Sequence, residues 1–504
     1  MRTLADLLLK NKLEREKKIA IVDDNVNVNY GELFDKSHLF ADALFSWHRI
    51  RGNRVAVWLP NCPEFLYTYF GAALSGNIAV PLAANLVAEE VRHFLNFTQT
   101  STLITNETLW EKLSHSRGMI PGVQNIILNS HSTIEGTIPI QSFIGGSTTP
   151  FTAPFEICEN DVVVFLCTSG STGVPKAVMC SHRNLLSNVL TDIDVYQMRE
   201  TDNCSCMLSM AHNYCMVENC LLPLACGAAI VLGDLGDTHG MLRKIDKFKI
   251  TVLTSMPPEL SGMTREGKTC RHNLSSLRLV QSGGASLAPI LQKRFQEIFK
   301  LPIVMGYGCT EVSASCTEIP LEGPYKDRSV GKVIPNQRIR LVGKDGRDVK
   351  TGQEGEICVS GPNVFQGYYG NPEATKSSLQ KGWFRTNDMG RLDEDGFLYV
   401  LGRKGSKIKT EAGSIYPTEV ANVLFECDGV VEVSVFSVIK NGKTELISFV
   451  EMPGAQPDSR ETILNYCRSR LPAYGVPTYL EVRKKLPRTA TGKIATQVLQ
   501  QELK

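Results

Sequence analysis

Short apolar runs recur along the chain, each followed by a polar turn or a helix-compatible stretch. Arg54-Val55-Ala56-Val57-Trp58-Leu59 leads into a helix-like segment over 63–74 and then Asn77-Ile78-Ala79-Val80-Pro81-Leu82, with further runs at 102–105 and 125–128. This alternation predicts an α/β unit with largely parallel strands up to about residue 160. Two apolar runs at 162–167 and 177–180 come next, and Ser181 is a good N-cap for a helix from 182 to about 196. Runs at 207–210, 229–232, 251–254, 277–280 and 302–305, spaced by helix-compatible sequence such as 287–299, predict a second α/β sheet. After about Arg328 the texture changes to short strands with Asp/Gly/Asn turns, for example Lys344-Asp345-Gly346 and Asp393-Glu394-Asp395-Gly396. The basic, Gly-containing Arg403-Lys404-Gly405-Ser406-Lys407 reads as a hinge. A strand over 432–439, a turn at Asn441-Gly442, a strand over 444–450 and a helix over 460–471 then make a small α+β unit. The predicted class is α/β and α+β: a large N-terminal body over 1–402, made of two α/β sheets and a β-rich subdomain, with a small mobile C-terminal cap over 403–504.

Composition narrows the field. The 504 residues are 42% hydrophobic and 21% charged, too many for one compact core, and the formal charge of +2 gives no electrostatic case for nucleic acid or an anionic membrane. The first residues are interrupted by Asp6 and followed by Lys10, Lys12, Glu14 and Arg15, as in an amphipathic helix and unlike the apolar core of a signal peptide. The longest apolar passage, 221–232, contains Pro223 and Gly227 and is too short to span a bilayer. A soluble, cytoplasmic protein is expected. Fifteen cysteines without a C-x-x-C suggest neither a zinc knuckle nor a redox pair.

The candidate chemistry begins between the runs at 162–167 and 177–180. Thr168-Ser169-Gly170-Ser171-Thr172-Gly173-Val174-Pro175-Lys176 offers backbone N–H groups, hydroxyls and an ammonium to a polyphosphate. It lacks the G-x-x-x-x-G-K-[ST] order of a P-loop, and the apolar run after Lys176 predicts a loop joining two strands, not one opening a helix. A plain Gly/Ser turn would explain three such residues; nine ending in Pro-Lys resemble the superfamily of AMP-forming adenylating enzymes. That group holds acyl-CoA synthetases, stand-alone and peptide-synthetase adenylation domains, and firefly-type luciferases.

Four more segments carry the resemblance. Gly306-Tyr307-Gly308-Cys309-Thr310-Glu311 offers a ring for adenine, a hydroxyl for phosphate and a hard carboxylate for Mg²⁺; the resemblance gives Tyr307, Thr310 and Glu311 those roles, and Gly308 a place beside the acid. Ser282-Gly283-Gly284-Ala285 would let adenine or the acyl group lie against backbone, although a plain strand-to-helix turn explains it equally well. Thr386-Asn387-Asp388, where Thr-Gly-Asp is usual, resembles the segment whose aspartate accepts both ribose hydroxyls, with Arg403 meeting ribose or phosphate. Thr491-Gly492-Lys493 resembles the C-terminal loop whose lysine enters the site for adenylation. At the hinge, Ser406 stands where an acidic pivot is usual, and Ala412 stands where glycine is common.

The resemblance implies two steps that use ATP and Mg²⁺. A small carboxylic acid becomes acyl-AMP with release of pyrophosphate; a thiol, from CoA or a carrier protein's phosphopantetheine, then takes the acyl group and AMP departs. His212 and Asn213, in Ala211-His212-Asn213-Tyr214, match positions lining the acyl path, and Glu218 stands where related aryl-acid enzymes use a small residue to read a ring substituent. Glu218 would accept from a donor on the substrate; a solvated helix residue is the plain alternative. The Phe-Asp-x-Ser signature of α-amino-acid activation is missing. The rival readings are an amino-acid or aryl-acid enzyme loading only a carrier protein, a luciferase-like oxidase, and a nucleotide-binding protein without turnover.

Overall fold

The computed structural model describes residues 1–145, 151–168, 176–234, 238–267, 271–284, 287–440, 442–488 and 494–503. Two large sheets dominate. In the first, eight strands run in the order Gly367–Tyr368, Lys176–Ser181, Val162–Thr168, Ile78–Leu82, Arg54–Trp58, Thr102–Thr105, Asn125–Leu128 and Ile138–Pro139. From Val162–Thr168 to Ile138–Pro139 the pairings are parallel, as the strand–helix alternation predicts. Lys176–Ser181 turns back antiparallel, with Thr168 opposite Lys176. The phosphate segment therefore joins two strands, as its flanking apolar runs require.

The second sheet has nine strands, in the order Lys332–Val333, Thr317–Glu318, Ile303–Tyr307, Leu279–Ser282, Val252–Ser255, Asn203–Cys206, Ala229–Leu232, Ile19–Val22 and Asn27–Asn29. Its last two members correct the sequential division drawn from the alternation. They come from the chain's start, yet Ile21 pairs with Ile230 in the second sheet, a partnership across more than two hundred residues that no local pattern reveals. The expected strand over 207–210 is also absent; the strand ends at Cys206. Beyond it the Asn61 amide donates to the carbonyls of Cys206, Leu208 and Gly233, and its oxygen accepts from the Met210 N–H, so one side chain replaces a ladder.

Helix Pro63–Leu74 is buried on nearly every side, which its mostly apolar sequence permits only between two layers. With helix His182–Val195 it fills the space between the sheets: one continuous core joins Phe65, Tyr69 and Phe70 to Val57 of the first sheet and Ile230 of the second. Ser181 caps His182–Val195 through the N–H of Asn184, as expected. The β-rich region is an antiparallel sheet of Arg338–Val342, Glu354–Ser360, Leu379–Gln380, Trp383–Leu392 and Leu398–Arg403. The C-terminal unit pairs Glu432–Lys440 with Lys443–Glu451, adds Tyr479–Arg483 in parallel, and packs helices Pro417–Phe425 and Ser459–Arg470 around its own small core. Among the described residues no helix is long and apolar enough to cross a membrane.

Candidate active site

Thr168 and Lys176 face each other at one end of the first sheet, so residues 169–175 leave and re-enter at a single point. Ser169, Gly170, Ser171, Thr172 and Gly173 lie outside the described residues, as do Ala285 and Lys493. Around this point the structure gathers side chains from distant segments. Strand Gly367–Tyr368 pairs beside Lys176–Ser181 and brings the Tyr368 ring to 4.6 Å from the Lys176 ammonium, a cation–π contact. The Tyr368 hydroxyl donates to Glu311 Oε1 at 2.8 Å. Tyr368 thus couples the phosphate segment to Glu311, a link the sequence reading missed.

Thr310 and Glu311 sit on the short 3-10 turn Thr310–Val312. The loop that carries them is held from beneath. Asn188 donates to the carbonyls of Val312, Ser313 and Ser315 at 3.1, 2.6 and 3.0 Å, Asn363 donates to Val312 at 2.9 Å, and Gln337 bridges the two asparagines at 2.8 Å. The available signal was a polar stripe of Asn184, Asn188 and Asp192, one helical turn apart and buried on helix His182–Val195. The glycines of this motif serve the chain's own packing. A Cβ on Gly308 would overlap the carbonyl oxygen of Ala314, and one on Gly306 the carboxylate of Glu318. At these two positions protein atoms occupy the space that a side chain would take.

Gly283 behaves in the same way: its missing side chain makes room for the ring of Tyr214. Gly284 instead adopts φ +77° and is exposed, and a Cβ there would stand 3.8 Å from Met256 Cε, an ordinary contact.

Asp388 is nearly buried and lies across the strand pair from Arg403. Its Oδ2 accepts from the Tyr307 hydroxyl at 2.6 Å and its Oδ1 faces Arg403 Nε at 3.2 Å, while its N–H donates to Thr386 Oγ1 at 3.0 Å. Burial, and then the neighbouring Asp388, hold the Tyr307 phenol far above its ordinary pKa, so it remains a donor. Asn387 stands at φ +60°, a conformation that glycine adopts most easily and asparagine next. That explains asparagine in a Thr-Gly-Asp position.

His212 caps the short helix Asn213–Cys215 and accepts from the Tyr214 N–H at 3.3 Å. Glu218 lies on the π-helical turn Met216–Leu221 and is 2% exposed, so the plain reading of a solvated helix residue is wrong. Neither of its oxygens, nor either amide atom of buried Asn213, has a hydrogen-bond partner among the described residues.

Residues 403–406 form a tight turn, with Gly405 at φ +86° and both the N–H and the hydroxyl of Ser406 donating to the Arg403 carbonyl at 2.9 and 2.7 Å. Ala412 is not left-handed, so alanine fits there without strain. Lys404 reaches back to buried Glu356 of the body at 2.8 Å. Arg488 and Ile494 pair across 489–493, and Arg488 lies 3.5 Å from Glu432 and 3.4 Å from Glu451. The cysteines are largely buried, and three that no short spacing links, Cys206, Cys215 and Cys220, bring their sulfurs within 4.8 Å of one another.

With this geometry in hand, residues 10–369 match the family model of the AMP-binding enzyme and 419–493 that of the AMP-binding enzyme C-terminal domain. The chain belongs to the AMP-binding enzyme family. It is 30% identical over 481 residues to a long-chain-fatty-acid–CoA ligase of Bacillus subtilis, covering 90% of this chain and 86% of that one. It is 29% identical over 505 residues to an oxalate–CoA ligase of Arabidopsis thaliana, covering 98% and 97%. An anthranilate CoA ligase solved with anthranoyl-AMP superposes with a TM-score of 0.92 at 24% identity, covering 100% of this chain and 97% of that one. An o-succinylbenzoate CoA synthetase of Bacillus subtilis, solved with AMP, gives 0.84 at 26%, covering 98% and 97%. This AMP-binding enzyme is a ligase that activates a carboxylic acid as its acyl adenylate and passes the acyl group to a thiol.

Proposed function

We propose that the acid is a small carboxylic acid, that the accepting thiol is CoA, and that the side chains gathered around residues 168–176 divide the work as follows. One observation carries the assignment: Lys176, at the end of the phosphate segment, is joined through Tyr368 to Glu311, and Tyr307 of the same motif as Glu311 is joined to Asp388 and Arg403. Asp388 and Arg403 hold the ribose, Tyr307 offers its ring to adenine, and Lys176 with the hydroxyls of 168–172 binds the phosphates. Gly284, and Ala285 after it, border the adenine.

An oxygen of the substrate carboxylate attacks the α-phosphorus, the bond from that phosphorus to the β-phosphate oxygen breaks, and pyrophosphate leaves. Thr310 and Lys493 meet the charge that builds on the α-phosphate. Glu311 and the adjacent Thr310 hydroxyl suit Mg²⁺, which takes one or two carboxylates and keeps much of its water. When bound, Mg²⁺ would neutralise phosphate charge. In the second step the thiol sulfur attacks the acyl carbonyl, the carbon–oxygen bond to AMP breaks, and the thiol proton passes to solvent. His212 and Asn213 line the acid's path, with Gly308 beside it.

Lys493 serves only the first step, so the cap over 403–504 turns about Gly405-Ser406 relative to the body over 1–402 to admit the thiol. CoA is supported by relatives named as CoA ligases over nearly their whole length, and carrier-protein loading is the second reading. All fourteen described cysteines are free, which supports a reducing, cytoplasmic setting. Pyrophosphate exchange across a panel of acids, followed by thioester trapping with CoA and with a holo carrier protein, tests the proposal. Exchange with no acid would refute acid activation, and trapping by the carrier protein alone would refute CoA.

A further inference from the structure

Behind Tyr214 lies a buried group of acidic side chains that the nucleotide chemistry leaves without a task. Asp192 comes from helix His182–Val195, Glu218 from the π-helical turn Met216–Leu221, and Glu318 from strand Thr317–Glu318. Their residues are 0%, 2% and 6% exposed. The carboxyls of Asp192 and Glu218 face each other, and among the described residues neither finds any other hydrogen-bond partner. Glu318 lies against Gly306, and the ring of Tyr214 lies against Gly283. The group therefore sits immediately behind two glycines at strand ends of the second sheet, one of which, Gly306, precedes Tyr307 in sequence. Ligands of open α/β sheets gather at such strand ends.

Three carboxyls from three elements, meeting in a buried space, work against the fold unless something is shared among them. Burial and mutual repulsion raise the pKa of Glu218, burial raises that of Asp192, and burial raises that of Glu318 to about 8. Among the described residues none of the three forms an ion pair, and of the three Tyr196 hydrogen-bonds only Glu318. A neutral apolar tail would leave the oxygens of Asp192 and Glu218 unpaired. An ammonium has three donors and a positive charge, and it answers both the unpaired oxygens and the excess of acid.

We propose that Asp192, Glu218 and Glu318 form the receptor for a cationic nitrogen, so that the acid activated by this enzyme carries a protonated amine at the end remote from its reacting carboxylate. This rests on the acid-activating function above. It accords with the missing Phe-Asp-x-Ser signature, because the amine would be held far from the carboxylate and not on its α-carbon.

The test uses length-matched trios of ω-amino, ω-hydroxy and unsubstituted alkanoates in pyrophosphate exchange, with the wild-type chain and with Glu218→Gln and Asp192→Asn. The amino acid of the best-fitting length should exceed its unsubstituted partner in kcat/KM by roughly 100-fold or more, and either variant should lose most of that ratio while keeping its rate with the unsubstituted acid. A wild-type preference for the unsubstituted acid, or an unchanged ranking in both variants, would overturn the proposal. A second measurement is independent of turnover. A simple alkylammonium salt should raise the Tm of the wild-type chain relative to sodium chloride of equal strength, and should fail to do so in the variants. Ammonium stabilisation without exchange would uphold the receptor and sink acid activation. Exchange with alkanoates but no ammonium effect would do the reverse. Thermal unfolding without ligand shows that the near-isosteric variants fold.

Discussion

The hydroxyl of Tyr307 donates to Asp388 Oδ2 at 2.6 Å, joining the end of a second-sheet strand to the β-rich region eighty-one residues later. Arg403 Nε faces Oδ1 at 3.2 Å, so under the proposed function ribose recognition and the start of the hinge would share one carboxylate. A hydrogen bond to a charged group contributes about 1.5–3 kcal/mol. Tyr307→Phe should therefore raise KM for ATP by roughly 10-fold or more with little change in kcat, and Asp388→Asn should act more strongly, since it also weakens the Arg403 contact. Initial rates at varied ATP check this; an unchanged KM in both variants would remove Asp388 from the nucleotide site.

Gly308 has no room for a methyl group, because the carbonyl of Ala314 occupies the place where a Cβ would stand. Gly308→Ala should displace the loop that carries Thr310 and Glu311, destabilise the fold by about 1–3 kcal/mol and abolish most pyrophosphate exchange. Urea unfolding together with exchange separates a local displacement from global loss.

Asn387 offers a milder test of backbone conformation, standing at φ +60° between Thr386 and Asp388. Asn387→Gly should leave stability within about 1 kcal/mol of the wild type, whereas Asn387→Val should cost about 1–2 kcal/mol and raise KM for ATP by shifting Asp388. Equal stability of the two variants would contradict the backbone argument.

His182 is buried and accepts from the Leu4 N–H at 3.2 Å through Nδ1, and burial depresses its pKa to about 4. Neutral imidazole is the folded form, while the unfolded chain takes up a proton near pH 6.5. The unfolded state thus binds more protons below that value, and stability is lost as pH falls from about 6.5 toward 4 by an amount on the order of 3 kcal/mol. Tm measured from pH 7 to 5 should fall in the wild type and fall less in His182→Asn, which retains an acceptor for Leu4.

Under the proposed function, Lys493 serves one half-reaction and not the other. Lys493→Ala should reduce acyl-adenylate formation by about 100-fold or more, yet thioester formation from supplied acyl-AMP and CoA should stay within a few-fold of the wild type. Equal loss in both halves would remove the case for a turning cap.

Periodicity and turn chemistry were enough to place the helix at Pro63–Leu74, the cap at Ser181 and the strand–loop–strand around 168–176, because each depends on residues near in sequence. Tyr307, Thr310, Glu311 and Asp388 could be proposed for a related reason: each stands in a contiguous segment with its own chemistry. The pairing of Ile21 with Ile230, the coupling of Lys176 to Glu311 through Tyr368, and the support of the 310–315 loop by Asn188 were settled only by tertiary structure. So was the meaning of the glycines: Gly308 and Gly284 look alike in sequence, but a Cβ would overlap a carbonyl at the first and make only an ordinary contact with Met256 at the second. Glu218 makes the same point, since a lone glutamate in an apolar stretch reads as exposed or buried with equal ease. Only the arrival of Asp192 and Glu318 from other elements turns it into part of a shared acidic pocket. A sequence records which groups are available, whereas burial and charge coupling depend on which groups the folded chain brings within reach of one another.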